Sequence, residues 1–82
     1  MIRIEGTDRT FKRMTDARAF AIDMILSDPD LESVTVENMT TKEKGTVRYE
    51  STTERFVWAI SRFRITPLTR DGRTVRLTRR TV

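Results

Sequence analysis

The stretch STTERFVWAISRFRI, residues 51 to 65, decides the fold, because its secondary structure sets how many helices the chain has. It contains the only tryptophan and two of the four phenylalanines. Ser51 and Glu54 form the Ser-x-x-Glu pattern of a helix capping box. Apolar residues then recur at helical spacing without strict alternation: Phe56, Val57, Ala59, Ile60 and Phe63. The spacing predicts a helix that ends before Pro67.

A long strand is the alternative for this stretch, because phenylalanine, valine, tryptophan and isoleucine are weak helix formers and good strand formers. In a helix, Trp58 lies about 160° around the axis from Phe56, opposite the core and beside Arg55 and Arg62. In a strand, Trp58 shares a face with Phe56 and Ile60 and belongs to the core. Tryptophan and arginine together are typical of interface hot spots. The helical interpretation therefore predicts Arg55, Trp58 and Arg62 as partner-binding residues.

Alternating apolar residues predict three strands upstream of this stretch. Ile2 and Ile4 alternate with charged residues, as in a short strand with one buried face. Leu31 to Glu37 and Thr46 to Glu50 alternate in the same way, and a polar loop that closes at Gly45 separates them. We expect the second and third strands to form a hairpin.

A helix is predicted between the first two strands, from an N-cap at Thr15 to Asp28, which precedes Pro29. Its main apolar stripe follows helical spacing: Ala17, Phe20, Ala21, Met24 and Ile25. A second apolar strip lies well away from the first: Ala19, Ile22 and Leu26. A helix that is apolar over so much of its circumference is buried on two sides or has a partner. We expect either burial under a loop such as residues 6 to 13, or self-association through this strip.

Asp71-Gly72 is the strongest short hairpin signal in the chain. A two-residue turn there would pair Leu68 with Val75. This pairing predicts a final strand and a short extra strand before it.

The predicted order is β-α-β-β-α-β, with the extra C-terminal hairpin strand. This order is that of the split βαβ, or ferredoxin-like, arrangement, an α+β fold in which two helices pack on one face of an antiparallel sheet. Eighty-two residues suffice for one domain, so we expect residues 1 to 82 to form a single α+β domain.

Basic residues concentrate in the last third of the chain. Residues 1 to 51 carry eight bases and ten acids, whereas residues 52 to 82 carry eight arginines and two acids. A local positive surface attracts phosphates, acidic protein patches or anionic lipid. On the predicted open face of the sheet, four arginines are candidate phosphate contacts: Arg3, Arg48, Arg76 and Arg80. The outward positions lack aromatic residues, which argues against single-strand RNA readers that stack bases.

Residue types that support common catalytic chemistry are missing from the sequence. There is no histidine and no cysteine, so common catalytic triads and histidine or thiolate metal sites are excluded. Asp28, Asp30 and Glu32 resemble the start of a calcium loop, but Ser33 and Met39 occupy the positions that need glycine and glutamate. We expect no enzyme activity, no cofactor and no metal.

The leading functional expectation is a small non-catalytic binding protein. It would dock on a protein partner, as accessory or inhibitor proteins do, and could form a homodimer. The alternative is a nucleic-acid-binding module that contacts phosphates through the arginine-rich C-terminal third. The charged start of the chain and the lack of a long apolar run predict a cytoplasmic protein without membrane association. Small size and arginine usage would suit a phage or mobile-element product.

Overall fold

The computed structural model describes residues 1–61 and 63–75. These residues form seven elements, in chain order: β1 (Ile2–Ile4), β2 (Thr10–Phe11), α1 (Met14–Ser27), β3 (Ser33–Asn38), β4 (Lys44–Glu50), β5 (Arg55–Ala59) and β6 (Ile65–Leu68). The α+β class is confirmed, and so are the strands predicted around Ile2, Val34 and Val47.

The six strands form one antiparallel sheet in the order β2-β1-β3-β4-β5-β6. β1 and β2 form a hairpin, and α1 then carries the chain across one face of the sheet so that β3 lies beside β1. From β3 to β6 each strand pairs with the next along the chain. The helix packs against β1, β3 and β4, which leaves the opposite face of the sheet uncovered by a helix in the described part of the chain.

The core lies between α1 and the helix-facing side of the sheet. The register aligns Ile4 with Val36 and Val34 with Val47, so alternate residues of these strands point towards the helix. All the buried apolar residues except Val57 form one cluster in the described part of the chain: Ile2, Ile4, Ala17, Ala21, Ile22, Ile25, Val34, Val36, Val47, Trp58 and Leu68. Every element except the two-residue β2 contributes to this cluster.

The helix α1 begins earlier than predicted and ends where predicted. Its N-cap is Arg13, whose side chain makes no capping hydrogen bond, so the prediction of Thr15 as N-cap is wrong. The end at Asp28 is confirmed, and the backbone N–H of Asp28 still donates to the carbonyl of Met24 at 3.1 Å. No helix in the described part of the chain is long and apolar enough to cross a membrane.

The prediction of a second helix in residues 51 to 65 is wrong, because the described residues of this stretch form a turn, β5, part of a connection and the start of β6. Glu54 has φ 54°, in the left-handed region, which is incompatible with a place in a helical capping box. β4 offers a hydrogen-bonding partner and aligns Tyr49 with Phe56 and Val47 with Trp58. The described residues therefore contain one helix, and the two-helix ferredoxin-like arrangement is not confirmed.

Burial on both faces of β5 explains the misleading spacing. Trp58 faces the helix, whereas its neighbour Val57 faces the other side and is also buried, between Arg48 on β4 and Pro67 on β6. A strand that is apolar on both faces shows no alternation, so its sequence resembles one face of a helix.

The C-terminal hairpin is present, but its register differs from the prediction by one residue. Leu68 pairs with Thr74, so the predicted pair of Leu68 with Val75 is wrong. The N–H of Thr69 donates to the carbonyl of Arg73 at 2.8 Å, which closes a loop one residue longer than expected. Gly72 supplies the left-handed conformation of that loop, with φ 80°. The predicted final strand beyond residue 75 lies outside the described residues.

Candidate functional site

Trp58 is a core residue and not an exposed binding residue. Its side chain is 6% exposed and its ring lies against Gly45, so close that an added Cβ on Gly45 would come within 2.6 Å of Cη2. The hypothesis that Trp58 forms an exposed hot spot is therefore wrong, because β5 turns its side chain towards the helix. Arg55 is exposed, but the alternation along β5 places it on the opposite face. Arg62 lies outside the described residues.

Arg18 of α1 is the charged residue that packs most closely on this core. Its guanidinium carbon lies 4.4 Å from the centre of the Trp58 ring, a cation–π arrangement. Burial lowers the pKa of the Arg18 guanidinium by desolvation. Its Nε is buried and has no hydrogen-bond partner among the described residues. No sequence pattern indicates this contact, since an arginine between two alanines on a helix is usually solvated.

The three residues of the second apolar strip of α1 differ in how deeply they are buried. Ile22 is fully buried, Ala19 is half-buried and Leu26 is 56% exposed. The loop that approaches Ala19 is the C-terminal turn, because an added Cβ on Gly72 would lie 2.7 Å from the Ala19 nitrogen. The three residues therefore do not form one exposed self-association surface. Only Leu26 remains available for contact with another molecule.

The open face of the sheet carries both of the described candidate phosphate contacts, Arg3 and Arg48, and both are exposed. The Glu37 carboxylate forms an ion pair with the Arg3 guanidinium at 3.5 Å and lies 4.0 Å from the Lys44 ammonium. The charge of Arg3 is thus partly offset by its neighbour. Arg48 takes part in none of the ion pairs among the described residues. Arg76 and Arg80 lie outside the described residues.

Exposed apolar side chains lie at one end of the sheet, in the connection between β5 and β6. We call the described residues of this connection, 60, 61, 63 and 64, the hairpin tip. Phe63 is 92% exposed, the largest exposed fraction among the exposed large apolar residues, and Ile60 and Ile65 beside it are also exposed. The tip is closed by an N–H of Ile60 that donates to the carbonyl of Arg64 at 3.0 Å. The helical interpretation of residues 51 to 65 placed Phe63 on the core face, and the strand β5 replaces that helix.

A groove of about 840 Å³ lies at the other end of β5, between the C-terminal end of α1 and the β4–β5 turn. We call it the helix-end groove. Its apolar wall includes Ile25, Leu26 and the aromatic pair Tyr49 and Phe56, whose ring centres are 5.3 Å apart in an edge-to-face arrangement. Leu26 and Tyr49 are 56% and 45% exposed, so the groove presents apolar surface to solvent.

The charged residues around the helix-end groove are mainly acidic. Asp28, Glu32 and Glu50 line it together with a single base, Arg48. Two of the acids already have local structural contacts. Asp28 accepts from the N–H of Asp30 at 3.0 Å, and Glu50 accepts from the hydroxyl of Thr53 at 2.9 Å. No hydrogen bond to the Glu32 side chain is found in the described part of the chain, so its carboxylate is the one best able to meet a new cation.

No family model matches the chain, and no curated protein or solved structure is significantly similar to it. Its function is therefore inferred from the hairpin tip, the helix-end groove and the open face of the sheet.

Proposed function

We propose that the chain is a small non-catalytic binding protein that docks on a protein partner through its hairpin tip. The observation that carries this proposal is the 92% exposure of Phe63. A single exposed apolar residue is common, but here Ile60 and Phe63 are exposed in one short connection, and Ile65, which begins β6, is exposed as well. Aromatic residues and arginine are enriched at interface centres, and Arg64 follows Phe63 directly.

The energetics of burial favour Phe63 as the anchor of such a contact. Fully burying a phenylalanine side chain contributes about 1.5–3 kcal/mol relative to leaving it in water. Backbone hydrogen bonds between β5 and β6 and the bond between Ile60 and Arg64 hold the two ends of the tip, which limits the order that has to be gained on binding. A connection that is anchored at both ends and projects one aromatic side chain suits insertion into a concave site, as accessory or inhibitor proteins do.

Site-specific photo-crosslinking tests the proposal directly. A photoreactive benzoyl-phenylalanine replaces Phe63 in one variant and Met39 in a control, since Met39 is also an exposed apolar residue but lies in the β3–β4 connection. Irradiation in the native cells should give a protein adduct from position 63 that is missing from position 39. Equal adduct patterns at the two positions, or adducts with nucleic acid alone, would refute docking through the tip.

Nucleic-acid binding through phosphate contacts is the second candidate function. The exposure of Arg48 on the open face of the sheet favours it. Fluorescence anisotropy with short single- and double-stranded oligonucleotides at 50 mM and 200 mM salt measures it, because phosphate contacts weaken steeply with salt. Arg48→Ala should weaken this binding, whereas Arg3→Ala should change it less because Glu37 already offsets Arg3. An absence of salt-dependent binding by the wild type would eliminate this function.

A further inference from the structure

We infer that the partner of the hairpin tip is a second copy of this chain, whose helix-end groove receives Phe63. This inference rests on the proposed docking through the tip and specifies its partner. Two copies arranged antiparallel would each place the tip in the other's groove. The assembly would be a closed dimer with two equivalent contacts.

The groove has room for the phenyl ring of Phe63, and both surfaces are apolar. The groove, at about 840 Å³, lies within the 300–1,000 Å³ range typical of sites that enclose a ligand group. Its wall offers Leu26 and the Tyr49–Phe56 pair, and the tip offers one projecting phenyl ring. Aromatic rings associate favourably in edge-to-face or offset geometry, so a third ring beside Tyr49 and Phe56 gains more than burial alone.

Charge also matches between the two surfaces. Three acidic residues and one basic residue line the groove, so its lining residues carry a net negative charge. The tip carries Arg64 directly after Phe63, and no acidic residue occurs between Arg55 and Arg70 in the sequence. Opposite potentials across an interface set its register and exclude wrong partners. The same chain therefore carries a basic apolar projection and an acidic apolar groove.

The topology prevents the tip from reaching its own groove. Tyr49 and Phe56 line the groove where β5 begins, whereas the tip follows Ala59, where β5 ends. The five residues of β5 separate the two surfaces by roughly 16 Å at about 3.3 Å per residue. Any contact between them has to be intermolecular. When each copy contributes both a tip and a groove, a two-fold axis satisfies both at once and the assembly closes.

Sedimentation equilibrium or light scattering of the purified chain from 1 µM to 1 mM tests the inference. The wild type should form a dimer within this range. Phe63→Ala and Leu26→Gln should each raise the dimer dissociation constant by about 30-fold or more, as truncation of an interface hot spot does. Met39→Ala is the matched control and should leave it unchanged. Both altered side chains are largely exposed, and circular dichroism verifies that the variants remain folded.

A charge exchange tests whether the tip meets the groove. Glu32→Lys and Arg64→Glu should each weaken the dimer, because each places like charges across the contact. The double variant Glu32→Lys/Arg64→Glu should recover most of the lost affinity. A double variant as weak as the sum of the two single changes would overturn the pairing of these surfaces.

The outcomes separate this inference from the proposed function. A wild type that stays monomeric at 1 mM overturns the dimer, and so does a series of larger species that grows with concentration. If position 63 then crosslinks to a different protein in cells, docking through the tip stands and only the identity of the partner is wrong. If no protein adduct forms at position 63, both proposals fail.

Discussion

Trp58 joins the helix to the sheet through contacts with side chains on both. Its ring lies against Gly45 of β4 and under the guanidinium of Arg18 from α1, and it is 6% exposed. Trp58→Ala should therefore lower the free energy of unfolding by about 3–5 kcal/mol, through lost burial and the cavity left behind. Urea unfolding followed by circular dichroism measures this loss. Trp58→Phe should lose clearly less. An unchanged urea midpoint for Trp58→Ala would contradict its place in the core.

Gly45 is required by the close approach of the Trp58 ring. An added Cβ would meet Cζ2, Cη2 and Cε2 of Trp58, all three in the rigid ring of a buried side chain. Gly45→Ala should destabilise the fold by about 1–3 kcal/mol through overpacking. Thermal unfolding measures the effect. Lys44→Ala is the control one residue away and should stay within about 0.5 kcal/mol of the wild type, because Lys44 is exposed.

At the level of secondary structure, we expect close packing to hold the C-terminal turn on α1 more strongly than charge does. Gly72 sits with φ 80° against the backbone of Thr15 and Ala19, and Arg70 pairs with Asp23 at 2.7 Å. Gly72→Ala should cost about 1–3 kcal/mol, because it strains the turn and pushes it off the helix.

The ion pair between Asp23 and Arg70 should contribute less to the stability of this turn than the packing of Gly72. Both of its side chains are mostly exposed, so Asp23→Asn should cost less than about 1 kcal/mol, and less still at high salt. Urea midpoints of the two variants, compared at low and high salt, show whether the ion pair or the packing of Gly72 holds the turn on α1. A larger loss from Asp23→Asn than from Gly72→Ala would show that the ion pair, not the packing, holds the turn.

For the whole molecule, the single buried cluster predicts one cooperative unfolding transition. The cluster takes side chains from α1 and from five of the six strands, so none of these six elements can leave without exposing it. Fluorescence of Trp58 and far-ultraviolet circular dichroism should therefore give the same urea midpoint. Two separate midpoints would contradict the expectation of a single domain for residues 1 to 82.

Much of the fold could be predicted because local patterns decide it. Strict alternation set β1, β3 and β4, whose charged and apolar residues cannot exchange faces without burying charge. Helical spacing and Pro29 set the body and end of α1. The candidate site was less predictable, because the exposure of Phe63 depends on where β5 ends and the loop begins. The groove at Tyr49 forms from segments that are distant in sequence.

The sequence by itself determined the α+β class, three strands, one helix and the concentration of positive charge in the last third. Only the tertiary structure decided the stretch of residues 51 to 65. Its apolar residues fit a helix face locally, and they fit a strand buried on both sides equally well. The hydrogen-bonding partner β4 and the contacts of Trp58 with Gly45 and Arg18 favour the strand. Those partners lie up to 40 residues away in the chain, so no local pattern records them. The strand conformation of β5 buries Trp58, and the end of that strand at Ala59 leaves Phe63 exposed.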